Sequence, residues 1–187
     1  MKILNKYIFG SHVYGTANVN SDIDYIIVVD GYNGIIEQTK DYQLYDIKSF
    51  QDKLNKHSIE ALECLFAPKQ FVIQQDMEFD FTLDLWELRK SICAIAHNSF
   101  DKARKKLIIE KDFNPYVAKK SLFHSFRIIM FGIQIAKYGK IINFSEANDI
   151  YKQIFDIKSN DWEIFKDKFK PPLNDLLTEF RIHAPKQ

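Results

Sequence analysis

Asp22 and Asp24 stand two residues apart, directly before the unbroken apolar run Tyr25-Ile26-Ile27-Val28-Val29. Residues i and i+2 at the start of a strand point to one side of a sheet, so both carboxylates can share divalent cations, hard ions that take oxygen ligands. Upstream, separated from Asp22 by ten residues, lies the pair Gly10-Ser11. Glycine lets the backbone come close to a ligand, and Ser11 can present its N–H and hydroxyl at the start of a helical turn, where an anionic phosphate is favoured. Ten residues suffice for one helical turn and a return loop, and Gly15 and Asn18 allow unusual backbone angles there. The chemistry these types and spacings permit is a phosphate clamp beside a metal-binding carboxylate pair.

A second group carries positive charge. Lys120, His124 and Arg127 stand at i, i+4 and i+7, opposite the helical core marks Leu122, Phe126, Ile129 and Ile133, and Lys102 and Lys106 form an i, i+4 pair on the helix before. A stripe of cations opposite a core face is commonly solvated surface; the functional alternative is contact with a triphosphate or nucleic acid. Tyr14 and Tyr25 beside the motif could stack on a base or ribose, with a core role the alternative for Tyr25. His12, His57, His97, His124 and His183 show no pairing at metal-ligand spacing. Cys64 and Cys93 lie in apolar, helix-like segments without C-x-x-C spacing and read as buried free thiols.

The elements that must position these residues divide by pattern. Ile3 to Phe9 reads as a strand feeding a turn, Ser11 to Gly15 as one helical turn, Tyr25 to Val29 as a buried strand and Tyr42 to Ile47 as a third strand. Lys48 to Phe66 takes helical spacing through Phe50, Leu54, Ile59, Leu62 and Leu65, with Pro68 as its stop. From about Phe79 onward the spacing is helical throughout. Pro115 opens one helix that ends near Gly139, Ser145 opens another, and the last, from about Asp161, is expected to break or kink at Pro171-Pro172. A strand-rich part, residues 1–78, is therefore followed by an all-helical lobe, residues 79–187.

The chain has 187 residues, 46% apolar and 14% aromatic, which excludes a disordered or fibrous protein. Its formal charge of +1 is a cancellation. Residues 1 to 97 hold 9 Lys and Arg against 14 Asp and Glu, a net of −5; residues 98 to 187 hold 17 against 11, a net of +6; within 98 to 140 the count is 10 basic to 3 acidic. An acidic half able to hold divalent metal is thus joined to a basic half able to hold phosphates. Met1 to Phe9 is too short and polar for a signal peptide, and the longest apolar run, Ile128 to Ala136, falls short of the roughly 20 residues a membrane helix needs. The expected location is the cytoplasm, with no membrane partner.

Gly10-Ser11-His12-Val13-Tyr14-Gly15 through Ser21-Asp22-Ile23-Asp24-Tyr25 resembles the signature of the DNA polymerase beta-like nucleotidyltransferase superfamily: Gly-Ser, a spacer containing Gly, then Asp-x-Asp. The wording looks most like a bacterial and phage branch of predicted nucleotidyltransferases, with further echoes in Tyr45 to Phe50, in Ile59 to Phe66 and in the helix holding His124 and Arg127. The resemblance implies an α+β fold, a small mixed β-sheet flanked by helices, with a C-terminal helical lobe. It implies two Mg²⁺ or Mn²⁺ ions and transfer of a nucleoside monophosphate from a nucleoside triphosphate to a hydroxyl, on a nucleic-acid end, a protein or a small molecule, releasing pyrophosphate. Ser11, Asp22 and Asp24 are then catalytic, Gly10 and Ser11 hold the triphosphate, and Lys102, Lys106, Lys120, His124 and Arg127 grip the nucleotide.

The family also needs a third carboxylate on a neighbouring strand. Asp46, which ends the third strand, is the choice as metal ligand and proton acceptor; Asp41, Glu37 and Asp30 compete, and a helix-capping role is the alternative for Asp46. Two other functions fit the same residues: an AMP-transferring member of a toxin-antitoxin or phage-defence pair, and a catalytically silent nucleotide sensor or RNA-binding module.

Overall fold

β1 (Lys2–Phe9) and β2 (Asp24–Asp30) form an antiparallel pair whose register runs from Lys2 opposite Asp30 to Phe9 opposite Asp24. In the computed structural model, which describes residues 1–31, 37–38 (backbone only) and 42–186, the turn between them carries a one-turn helix, α1 (Ser11–Tyr14). β3 (Glu37–Gln38) pairs antiparallel with β4 (Tyr42–Asp46), and β4 pairs parallel with β2. With β5 (Val72–Gln75) antiparallel to β1, the described strands make a mixed sheet in the order β3-β4-β2-β1-β5. Ile26, Val28 and Val29 of β2 are fully buried, as an unbroken apolar strand in the middle of a sheet must be.

β5 is the element that sequence patterning does not reveal. Four residues are too few to establish alternation, and its position comes from Asn5 of β1, which is fully buried. The Asn5 side chain accepts from the N–H groups of Asp76 and Met77 at 3.1 and 3.0 Å and donates to the Met77 carbonyl at 2.8 Å, docking the chain as it leaves β5.

The single helix expected over Lys48 to Phe66 is two, α2 (Ile47–Asn55) and α3 (Ile59–Leu65). The break falls at His57, which takes a left-handed φ of 52°. Its ring is buried; Nδ1 donates to the Asn55 carbonyl at 3.2 Å and Nε2 accepts from the Asp84 N–H at 2.9 Å, against the Phe81 ring. The bond to the distant Asp84 backbone, with the packing of the ring, outweighs the local preference for continuing a helix.

The described chain separates into two compact units, Met1–Asp84 and Leu85–Gln187. The second is helical: α4 (Leu85–Ile108), α5 (Pro115–Tyr138), α6 (Asn148–Phe155) and α7 (Trp162–His183). α5 begins as expected, with Pro115 in its first turn and the Asn114 side chain accepting from the Val117 N–H, and ends at Gly139 with φ 73°. It is the central helix, buried along fourteen positions from Ala118 to Ile135. Gly132 lets it approach its neighbours: a Cβ there would meet Ile92 of α4 and Phe180 of α7 at 3.0 Å.

Of the break or kink expected at Pro171-Pro172, the break does not occur: α7 runs through both prolines without ending. The two prolines withhold donors from the carbonyls of Asp167 and Lys168, which lie on exposed residues where water can take them. Phe165 and Phe169 on one side and Leu173 and Phe180 on the other are buried, so packing holds both halves in one helix. Cys64 is a buried free thiol and Cys93 a half-buried one. Among the described residues no helix is long and apolar enough to cross a membrane.

Candidate active site

The β1–β2 ladder explains why Gly10 and Asp24 belong together. Phe9 and Asp24 are the last pair of the ladder, so Gly10, next in the chain, lies against the start of β2. Gly10 has φ 80° and ψ −147°, a conformation essentially restricted to glycine, and a Cβ built on it would stand 2.6 Å from Asp24 Oδ2. The missing side chain is what allows the turn and the carboxylate to share one place. Val13 and Tyr14 donate backbone N–H groups to the Gly10 carbonyl, at 3.0 and 3.3 Å, forming the single turn of α1.

The spacer returns through a network of short-range bonds. Thr16 and Ala17 N–H groups reach the Ser11 carbonyl, Ser21 N–H reaches the Asn18 carbonyl at 2.9 Å, and the Ser21 hydroxyl accepts from Asn18 N–H at 2.9 Å. His12 Nε2 donates to the Ser21 carbonyl at 3.3 Å, tying the first residues of the spacer to the last. Gly15 takes φ 74°, the left-handed cap the sequence allows for. The result leaves Asp22 exposed and Asp24 half-buried, two residues apart at the mouth of the β1–β2 turn, with Ser11 half-buried one residue beyond Gly10.

Asp46 does not join them. In the parallel β2–β4 ladder Tyr42 stands opposite Tyr25 and Asp46 opposite Val29, so Asp46 lies five positions along β2 from Asp24, about 16 Å at the rise of a strand. Its carboxylate caps α2, accepting from the Ser49 N–H at 2.5 Å. Because β2 and β4 run parallel, the C-terminal end of β4 is far from the N-terminal end of β2, and the residue that ends a strand cannot serve a site at the other's beginning. Asp30 is excluded by the same geometry, since it pairs with Lys2 at the far end of β1. Asp41 and the side chain of Glu37 lie outside the described residues. Among the described residues no three His, Cys, Asp or Glu side chains form a group that could hold a metal ion.

Tyr14 is also reassigned. It is 6% exposed, its ring meets that of Phe9 edge-on at 6.3 Å, and its hydroxyl donates to Glu63 Oε2 on α3. A buried ring cannot stack on a base. Nothing in the sequence pairs Tyr14 with a glutamate 49 positions away; the one signal was an acidic residue in the apolar stretch Ile59 to Phe66. Tyr25 is half-buried with the Lys6 ammonium over its ring at 4.2 Å.

In the second unit the five cationic candidates separate by environment. Arg127 is not on a solvated stripe: it is 2% exposed, lies over the Phe131 ring at 5.1 Å and donates from Nη2 to His124 Nδ1 at 2.7 Å. An imidazole that accepts there is neutral at that nitrogen, and burial, reinforced by the charges of Arg127 and Lys102, holds His124 well below the usual histidine range. Lys106 pairs with Asp112 across the α4–α5 connection. Lys102 and Lys120 are exposed and have no ion pair among the described residues, Lys120 lying over the Tyr116 ring at 5.5 Å.

No curated protein matches the sequence. Among solved structures the chain is similar to the spectinomycin adenyltransferase AAD(9) from Enterococcus faecialis, crystallised with ATP and spectinomycin: 11% identity, 96% of this chain and 92% of that one covered, TM-score 0.46. The family described as nucleotidyltransferase domain matches residues 3–124, which takes in the Gly-Ser turn, the Asp-x-Asp pair and the sheet that brings them together. With about two thirds of its length in that match, the chain belongs to the nucleotidyltransferase domain family and is a transferase of nucleotidyl groups.

Proposed function

We propose that the protein transfers a nucleoside monophosphate from a nucleoside triphosphate to a hydroxyl acceptor, with divalent metal at Asp22 and Asp24 and the triphosphate at Gly10 and Ser11. The observation that carries this reading is the 2.6 Å between the absent Gly10 Cβ and Asp24 Oδ2, a cradle that a side chain would fill. Two carboxylates at the mouth of a turn are the oxygen donors that Mg²⁺ or Mn²⁺ takes. When bound, a metal pair supplies positive charge to the attacking and leaving oxygens of an in-line displacement.

The acceptor oxygen forms a bond to the α-phosphorus, the bond from that phosphorus to the oxygen bridging to the β-phosphate breaks, and pyrophosphate leaves. The hydroxyl proton needs a base. We assign that role to Asp41, the competing carboxylate that the sequence offers just before β4. Asp41→Asn is then expected to lower kcat on the order of a hundredfold, the usual contribution of a general base. Asp46→Ala is expected to keep kcat within about twofold and to cost about 1 kcal/mol of stability, the loss of an N-cap. Pyrophosphate release and urea denaturation of the two variants decide between them. Within the second unit, Lys102 and Lys120 are the proposed contacts to phosphate or nucleic acid, because both residues are exposed.

The acceptor is found by incubating the protein with Mg²⁺ or Mn²⁺ and each labelled triphosphate in turn, with total cellular RNA, DNA, protein and small hydroxyl compounds as acceptors. Label transfer abolished by a chelator is the expected result. Triphosphate binding without transfer to any acceptor would make the chain a silent nucleotide sensor instead.

A further inference from the structure

A single helical turn does not stand on its own hydrogen bonds, because ordering the first turn costs more than its first bonds return. α1 has four residues, so its position is decided by what Val13 and Tyr14, its two buried residues, touch. Tyr14 reaches across the unit. Its ring packs on Phe9, the residue before Gly10, and its hydroxyl donates to Glu63 Oε2. Glu63 is 3% exposed on α3, among the buried residues Ile59, Ala61, Leu62 and Cys64. A carboxylate at such a position is costly compared with leucine unless it gains a directed bond. Apolar packing alone would hold the ring without fixing how far α1 can slide or rotate; a hydroxyl bonded to a buried carboxylate fixes a point.

We infer that Tyr14 and Glu63 form a latch that fixes the Gly10-Ser11 turn where it meets the triphosphate, with Tyr14 a positioning residue that acts through the turn. The inference rests on the reading of Gly10 and Ser11 as the triphosphate-binding turn. α3 thereby becomes part of the support of the site although it lies 49 positions away in the chain.

Tyr14→Phe keeps the ring and removes the hydroxyl, while Glu63→Gln keeps an oxygen that can accept. Tyr14→Phe is expected to raise KM for the triphosphate about tenfold, the effect of one lost bond to a charged group, with kcat changing less. Glu63→Gln, which keeps the bond, is expected to lose much less, with KM within about threefold of the parent. Amide hydrogen exchange supplies a readout independent of turnover: in Tyr14→Phe the amides of Val13, Tyr14, Thr16 and Ala17, which bond to the Gly10 and Ser11 carbonyls, exchange faster while those of the β1–β2 ladder do not. Unchanged KM in Tyr14→Phe, or exchange that accelerates equally across both sets of amides, overturns the latch. A parent protein that binds no triphosphate defeats the functional reading instead, and the exchange comparison then decides the latch by itself.

Discussion

Replacing both Asp22 and Asp24 by asparagine is expected to abolish pyrophosphate release, a fall on the order of a thousandfold or more, while the protein stays folded. The two halves of that result have separate causes. Asparagine keeps the size and a carbonyl oxygen but removes the negative charge that a hard divalent cation needs, so metal affinity and the stabilisation of the transferring phosphoryl group go together. The fold is spared because Asp22 is exposed and Asp24 half-buried at the mouth of a turn, away from the core of Ile26, Val28 and Val29. Stability is expected to move by about 1 kcal/mol, the scale of a single hydrogen bond or ion pair given up at the surface. Pyrophosphate release with Mg²⁺ and a urea melt of the same preparation check both halves; a double variant that still turns over at the parental rate removes Asp22 and Asp24 from the chemistry.

Gly10→Ala is expected to have the second largest effect, and for a reason that distinguishes it from other glycine substitutions. The backbone there sits at φ 80° and ψ −147°, which costs an L-residue about 1–3 kcal/mol. In addition the new methyl would stand 2.6 Å from Asp24 Oδ2, so the carboxylate must move. A displacement near 1 Å at a reacting centre costs on the order of a hundredfold in rate, so both the denaturation midpoint and pyrophosphate release fall. Gly139→Ala is the control. It also has a left-handed backbone, φ 73°, but nothing lies within 4 Å of its added Cβ, so it loses about 1 kcal/mol of stability and keeps its activity. Equal activity in the two variants would mean that the closeness of Gly10 to Asp24 has no chemical purpose.

Much of this site is legible in the chain before any fold is known. Gly10, Ser11, Asp22 and Asp24 stand out because the proposed phosphate and metal contacts each demand particular residue types, and because a turn of fixed length must join them. The strands beside them are equally plain, since Tyr25 to Val29 is apolar at every position and admits no exposed face. The helices of the second unit follow from the spacing of their apolar residues, with Asn114, Pro115 and Gly139 marking the bounds of the longest buried one. These are local signals, carried within a few residues of chain.

What the sequence by itself determined about this protein is its motif, the strands and helices with strong local patterning, and the family whose match spans residues 3–124. The tertiary structure alone decided the rest, and in each case the deciding interaction joins residues far apart in the chain. The parallel register of β4 on β2 puts Asp46 opposite Val29 and turns an expected metal ligand into a helix cap. The Asp84 N–H, 27 positions away, bonds the His57 ring at the left-handed residue where one expected helix becomes two. Buried phenylalanines on both sides of Pro171 and Pro172 keep α7 whole. Glu63 turns Tyr14 from a base-stacking candidate into a buried anchor. Spacing reports what neighbours along the chain can do together; register, burial and hydrogen bonds across the fold depend on which distant segments pack, and no local pattern encodes that choice.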